Sequence, residues 1–416
     1  MKYDIIIAGG GAAGFFAAIH IAEAKPNLKI AILERGKEVL TKVKVSGGGR
    51  CNVTHAEFIP DELVKNYPRG EKELKGPFHT FCSGDTVEFF EKRGVELKIE
   101  EDGRMFPVTD SSQTIIDCFL SEAGRLGVRV LINHSIKNIS KENDSWFLDT
   151  NHSVFTCSKL LVATGSNPKV WSLMEKLGHT IVPPVPSLFT FNMKDPRIDG
   201  LMGLSTFATV TLLSNKNISL DLAGKGTSSG PLLITHWGMS GPAILKLSAW
   251  GARILYDLNY NFKIQVNWLH ETTTDDAFNI LKNLKTEAPK KLIWNTKVFD
   301  IPNRLWIKLA ESSDVPASQK WADVPNLQLR ELAEQLTKGI YQVNGKSTFK
   351  EEFVTAGGVD LKEINFKTYE SKLQNSLYFA GEVLNIDAVT GGFNFQNAWT
   401  GAYMAAKAIA SEIVKN

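Results

Sequence analysis

Residues 9–14 of the chain have the spacing to hold a pair of phosphates. Gly9, Gly11 and Gly14 form a G-x-G-x-x-G with Ala12 and Ala13 between the last two glycines. The cluster follows the apolar run Ile5, Ile6, Ile7, Ala8 and opens an Ala/Phe/Ile-rich stretch that reaches Ala24 before Lys25 and Pro26. In such a strand–turn–helix the first glycine permits a tight turn. The second lets backbone approach a pyrophosphate, and the third lets helix and strand pack closely. The helix start then aims free N–H groups and a partial positive charge at the anion. A second strand, expected over 28–33, ends in Glu34, twenty residues after Gly14. A carboxylate there accepts ribose hydroxyls and repels a 2′-phosphate, which points to FAD or NAD rather than NADP.

A second glycine site near the carboxyl end favours FAD. Phe379-Ala380-Gly381-Glu382 closes a strand, and Gly391-Gly392-Phe393-Asn394 opens the last helix. Its N–H groups can face an electron-rich ring, and an FAD stretched across a sheet would use both ends. Between the two sites lies a polar loop at 42–52, beginning at Lys42 and containing Ser46-Gly47-Gly48-Gly49-Arg50-Cys51-Asn52. Arg50 can offset the charge of a pyrophosphate or a reduced flavin, or lie exposed without such a contact. Cys51 is read as a catalytic candidate with packing as the alternative; with no C-x-x-C in the chain, a paired-cysteine disulfide reductase is disfavoured. His236, in a Gly/Ser/Pro-rich stretch, is the other catalytic candidate, either moving a proton near neutral pH or bracing its loop. Trp237, Trp250 and Trp268 either line a pocket for a flat substrate or pack in a core. The four cysteines lie apart from any histidine cluster, so no metal is expected.

The elements that must position these residues alternate in type. Strands are expected at 128–132, 146–149 and 159–163. Asp85 is expected to open a helix, and a further helix should run over 112–126. Pro183-Pro184-Val185-Pro186 marks a change of composition, after which short alternating stretches up to Val266 read as β structure and 274–338 reads as helical. A strand-like region then runs from Phe353 to Val359. The 416 residues, at 43% hydrophobic and 22% charged, suit a soluble chain of two or three domains. A net charge of +2 excludes a global field for nucleic acid or acidic membrane. Neither a cleavable leader nor an apolar run long enough to span a bilayer is seen, so the expected location is cytoplasmic.

Six motifs taken in order carry a resemblance. They are 9–14 with Glu34; 46–52; Gly103-Arg104-Met105-Phe106-Pro107; 235–242, reading Thr-His-Trp-Gly-Met-Ser-Gly-Pro; 354–359, reading Val-Thr-Ala-Gly-Gly-Val; and Ala380-Gly381-Glu382 with 391–394. The chain resembles the BaiN-like, aminoacetone-oxidase-like bacterial FAD-dependent oxidoreductases of the glutathione-reductase-type FAD superfamily. That resemblance implies an α/β fold: a discontinuous Rossmann-like FAD-binding domain with an inserted β-barrel-like domain and a small helical insert. The implied boundaries are 1–187 and 351–416 for the FAD-binding parts, 188–270 for the barrel, 271–338 for the helices and 339–350 for a returning strand. It also implies that 46–52 wraps the pyrophosphate, that Ile136 offers backbone to adenine, and that Ala163, Thr164 and Gly165 close over the ADP half. Asp387 and Gly391 to Asn394 would contact ribityl and flavin. Arg35 and Lys42, with Gly381 and Glu382, complete the candidate cofactor set. The family usually has Gly-Glu where Gly230-Pro231 stands here, and aspartate at Asn385; both departures lie where substrate would enter.

The expected activity is hydride transfer between flavin N5 and a small substrate, by reduction of an activated C=C bond or oxidation of an amine. No second G-x-G-x-x-G follows a strand, so electrons would come from NAD(P)H docking transiently, or from substrate with oxygen as acceptor. The alternative is a flavin-dependent reductase acting on uridine in rRNA. Residues 190–350 carry 19 Lys and Arg against 14 Asp and Glu, a mild basic bias that permits RNA contact without forming a basic stripe. A flavin redox sensor is the third reading, and no appended interaction domain or disordered tail supports it.

Overall fold

A computed structural model describes residues 1–214, 220, 222, 224–347 and 354–412. The chain divides into two compact units, residues 1–185 with 350–416, and residues 186–349. The expected boundary at 350/351, and Phe353 at the start of the expected strand, lie outside the described residues.

The first unit is built on a seven-stranded sheet in the order Ile364–Asn365, Glu370–Ser371, Leu377–Phe379, Lys159–Val162, Ile5–Ala8 (β1), Ile30–Leu33 (β2), Arg129–Leu131. The last five of these run parallel. β1 and β2 are buried at every residue, as strands covered on both faces must be. One cover is helix α1 (Ala12–Ala24) against the last helix, Phe393–Glu412, whose small residues let the two approach. Phe16 meets Phe89 at 4.4 Å and Trp399 at 5.1 Å between ring centroids, and Phe119 joins Trp399 at 5.6 Å.

Three local expectations change. The polar loop at 42–52 contains a helical stretch, Thr41–Gly49, broken at Ser46, Gly47 and Gly48. Asp85 does not begin its helix. Ser83–Glu91 starts earlier, with Cys82 at the cap and the Asp85 carboxylate accepting the Cys82 N–H at 2.7 Å. The boundary expected at 183–186 holds the division between units at 185/186, but its prolines lie within a strand, Ile181–Ser187, that among the described residues pairs only with Val354–Val359; a two-stranded ribbon leaves edges on which proline needs no donor.

The second unit is a closed antiparallel barrel ordered Thr190–Asn192, Gly238–Ser240, Thr227–Ile234, Ser205–Leu213, Asn261–Asn267, Gly339–Ser347. Inward residues alternate along its strands: Ala208, Val210 and Leu212 on one, Phe262, Ile264 and Val266 on the next. The helices of 271–338, expected as an insert of their own, share this core. Leu281, Leu305, Leu309, Leu329, Leu332 and Leu336 belong to one buried cluster with the barrel residues. Short amphipathic helices cannot bury their apolar stripes alone. Trp268 ties the parts, its N–H donating to Leu336 O at 2.8 Å and its indole N–H to Tyr341 Oη at 3.1 Å. Among the described residues no helix is long and apolar enough to cross a membrane.

Leu332→Ala is expected to cost about 2–5 kcal/mol by leaving a cavity. Denaturant unfolding should then show barrel and helices melting together; a separate helical transition would contradict the shared core. A second prediction concerns His20 on α1, packed among Phe16, Phe89 and Tyr403 beside a groove of about 550 Å³. Burial first, and Arg93 second, push its imidazole down to about 3 from the usual 6.5. It is therefore neutral when folded and gains a proton on unfolding, so its contribution to stability is present above pH 6.5 and lost as pH falls. Between pH 7 and 4 the loss is roughly 2–3 kcal/mol. His20→Leu should flatten that part of the stability–pH curve.

Candidate functional site

The carboxyl ends of the parallel strands in the first unit gather most of the sequence candidates. At the first turn, Gly9 has φ +113° and a Cβ there would lie 2.4 Å from Ala163 O; a Cβ on Gly14 would lie 2.0 Å from Gly9 O. Gly11 caps α1, no side chain accepts from the N–H groups behind it, and no acid stands in the first helical turn. A Cβ on Gly11 would meet nothing within 4 Å. This is an uncapped helix start with open backbone before it, the arrangement that binds phosphates.

Glu34, at the end of β2, accepts the Gly10 N–H at 2.9 Å and the Gly36 N–H at 2.7 Å, one on each oxygen. The carboxylate is thereby fixed beside the glycine turn with lone pairs left for hydroxyl donors. Arg35 next to it is exposed. The 133–136 segment reaches the same place, because the His134 N–H donates to Glu34 O and the Asn133 N–H to Gly36 O. Ile136, half-buried, starts the strand that follows.

In the 42–52 segment, Lys42 pairs with Glu382 at 2.5 Å, and Glu382 also accepts the Thr355 N–H at 3.0 Å. Gly48 and Gly49 have positive φ and open space around the would-be Cβ, so the turn presents bare backbone. Ser46 turns its hydroxyl inward to Val43 O. The Arg50 guanidinium lies 3.9 Å over Phe106 and pairs with Glu100 at 2.5 Å, so its charge is already matched by protein. Cys51 is fully buried, and burial pushes its thiol up to about 12 despite the Ser46 contact. That burial suits the packing alternative and disfavours the thiolate a nucleophile would need.

With its amide oriented to satisfy both neighbours, Asn52 accepts the Gly392 N–H at 2.9 Å and donates to Thr54 O at 3.0 Å. Gly391 and Gly392 both have positive φ, and a Cβ on Gly392 would strike Thr54 O at 2.5 Å. The Asn394 amide is engaged with both backbone groups of Ala388, and the buried Asp387 is gripped by Arg69. Those two side chains thus shape their turn. Gly381 rests on α1, where a Cβ would meet Ala13 at 3.3 Å. Gly165 has positive φ with Glu382 nearby. Thr164 Oγ1, Thr355 Oγ1 and Asn385 Oδ1 are buried without a hydrogen-bond partner among the described residues. Open glycine backbone, an uncapped helix start and three orphaned polar atoms fit an extended dinucleotide.

Sequence reasoning missed His55, Tyr67 and Arg69. His55 Nδ1 lies 3.0 Å from Gly391 O and its ring stacks on Phe393 at 4.5 Å. Its place three residues after Asn52 was the available signal; Tyr67 and Arg69 had none. In the second unit His236 and Trp237 form the tip of a two-residue hairpin closed by Thr235 and Gly238, with Trp237 56% exposed. Trp268 is core, and Trp250 lies 5.2 Å from Lys225 Nζ. Among the described residues no group of three His, Cys, Asp or Glu could hold a metal.

Residues 3–408 match the family described as HI0933-like protein Rossmann domain. The chain belongs to this family. Its members are FAD-dependent oxidoreductases. The chain is 28% identical over 424 residues, 98% of both proteins, to the ribosomal RNA dihydrouridine synthase of Haemophilus influenzae. The Escherichia coli protein of the same name is 28% identical, again over 98% of each. A 3-dehydro-bile acid delta(4,6)-reductase of Clostridium scindens is 24% identical over 97% of this chain and 98% of its own. Among solved structures, the flavoprotein of Escherichia coli quinol fumarate reductase superposes with a TM-score of 0.50 at 12% identity, covering 100% of this chain and 71% of that one, which is a likeness of fold alone.

Glu34→Ala should weaken FAD binding about tenfold or more while leaving the fold intact, since each ribose hydroxyl bond to a charged acceptor contributes about 1.5–3 kcal/mol. Flavin fluorescence titration of the apoprotein, beside its circular dichroism, checks this; unchanged affinity would remove Glu34 from the site.

Proposed function

We propose that the chain binds FAD along the ends of the parallel strands and reduces a ring carbon–carbon double bond, with uracil in ribosomal RNA as the substrate. The open backbone of Gly11 at the start of α1 and of Gly48 and Gly49, with Glu34 fixed beside the first glycine turn, is the observation that carries the cofactor part of this reading. In it, Glu34 takes the ribose hydroxyls, the start of α1 takes the pyrophosphate, and backbone at 47–49 and 391–393 borders the flavin end. Ile136 offers its backbone to adenine, and the Thr164 hydroxyl faces the ADP half. Bound FAD supplies hydride transfer at N5.

Support for the substrate comes from the relatives. Two full-length matches are named for dihydrouridine in ribosomal RNA, and the third for a bile-acid reductase; each name describes saturation of a ring double bond. Uracil and a conjugated ketone have the same need: hydride at one carbon, a proton at its neighbour, and a polarised carbonyl. Within the second unit, the hairpin tip carries an exposed flat ring, Trp237, and beside it His236, a side chain of the type that carries protons. The mild basic bias of 190–350 agrees with an RNA substrate. The second reading, a small conjugated substrate, keeps the same chemistry and is favoured by the bile-acid relative. NAD(P)H is the proposed electron donor in both.

The test begins with purified protein, expected to be yellow after desalting. Anaerobic NADH or NADPH should bleach the flavin. Unmodified ribosomal RNA should then restore the colour with appearance of dihydrouridine, while free uridine and a steroid dienone should not. Reoxidation by the dienone alone would transfer the assignment to the small-molecule reading, and a chain indifferent to FAD would end both.

A further inference from the structure

The turn at 384–394 is clamped by a segment that no motif contains. Residues 66–70 reach it by five contacts. The Val389 N–H donates to Asn66 O at 2.9 Å. The buried Tyr67 hydroxyl donates to Phe393 O at 2.6 Å. Arg69 and Asp387 form an antiparallel backbone bridge, and a Cβ on Gly70 would strike Ile386 at 2.8 Å. Finally, the Arg69 guanidinium grips the Asp387 carboxylate with two nitrogens, Nε to Oδ1 and Nη2 to Oδ2. Asp387 is wholly buried, and the Arg69 side chain nearly so.

A buried carboxylate beside a cofactor does two things at once. Fixed by a planar guanidinium fork, it sets the position of its own backbone. Deprived of that counter-charge, it either takes up a proton or stands as a negative charge in a low dielectric. Reduced flavin is itself negatively charged, so an uncompensated carboxylate nearby disfavours reduction.

We propose that Arg69 is a positioning residue for the flavin, holding the 384–394 turn through Asp387 and, by neutralising that carboxylate, keeping the bound flavin easy to reduce. This rests on the reading that the turn borders FAD. Asn394 is already closed on Ala388, so the Arg69–Asp387 grip is the charged contact that anchors the turn leading into 391–393.

The experiment compares wild-type holoprotein with R69M, R69K and the double variant R69M/D387N. FAD affinity is read by fluorescence titration and the flavin midpoint potential by anaerobic dye equilibration. R69M should lose at least tenfold in affinity and shift the midpoint to a more negative value. R69K, which keeps charge but not the fork, should restore the potential more fully than the affinity. R69M/D387N, with no buried charge, should return the potential towards wild type. A purely structural role predicts lower thermal stability with an unmoved midpoint in every variant, and that result overturns the proposal. If R69M does not fold, R69K and the double variant decide by the same criteria. A wild-type chain that binds no FAD would fail at the first titration, overturning the underlying reading and this proposal with it; FAD bound normally by wild type and R69M alike overturns this proposal alone.

Discussion

The first unit depends on backbone lying against backbone at the turn after β1. Gly9 touches Ala163, and Gly14 lies on Gly9, at distances where any Cβ would overlap a carbonyl oxygen. These contacts bring three segments far apart in sequence to one place: the start of α1, the end of the strand Lys159–Val162, and, through Gly381 on Ala13, the region after Leu377–Phe379. Because the helix start carries no capping side chain, the same closeness leaves its N–H groups without protein acceptors. Packing and anion affinity thus come from one constraint.

What could be read from the sequence was what is encoded locally. The bounds of α1 and the position of Glu34 follow from apolar runs, a glycine turn and a fixed spacing, all within about thirty residues. The last helix was likewise announced by Gly391 and Gly392. The 42–52 segment was read as polar loop because its glycines hide a short helical stretch. Pairings across the chain carried no local signal. Arg69 and Asp387 are 318 residues apart, and nothing near either one predicts the other. The shared core of barrel and helices was missed for the same reason: an amphipathic stripe on Asn326–Lys338 shows that a partner exists without naming it.

The site also shows how a charged residue in a motif can be structural. Arg50, Lys42, Asp387 and Glu382 were all cofactor candidates by position, and each is held by an opposite charge within the protein. Among the described residues, the groups left without a protein partner include the neutral side chains of Thr164, Thr355 and Asn385, beside the open backbone of Gly11, Gly48 and Gly49. A site of that kind recognises its ligand by shape and by oriented N–H groups more than by net charge, which suits a long, flat, mostly uncharged flavin attached to two phosphates.

The interleaving of the first unit has a consequence for how the chain is made. Its central strand pair, Ile5–Ala8 with Lys159–Val162, is synthesised early, yet Leu377–Phe379 and the helix Phe393–Glu412 that complete the sheet and cover α1 come at the end. The barrel unit, by contrast, has all its strands once Ser347 has been added. During synthesis the barrel can therefore close while the amino-terminal half still exposes Phe16 and Phe119, and only the final segment seals them. A chain ended after Ser347 would carry every barrel strand attached to an aggregation-prone half-sheet.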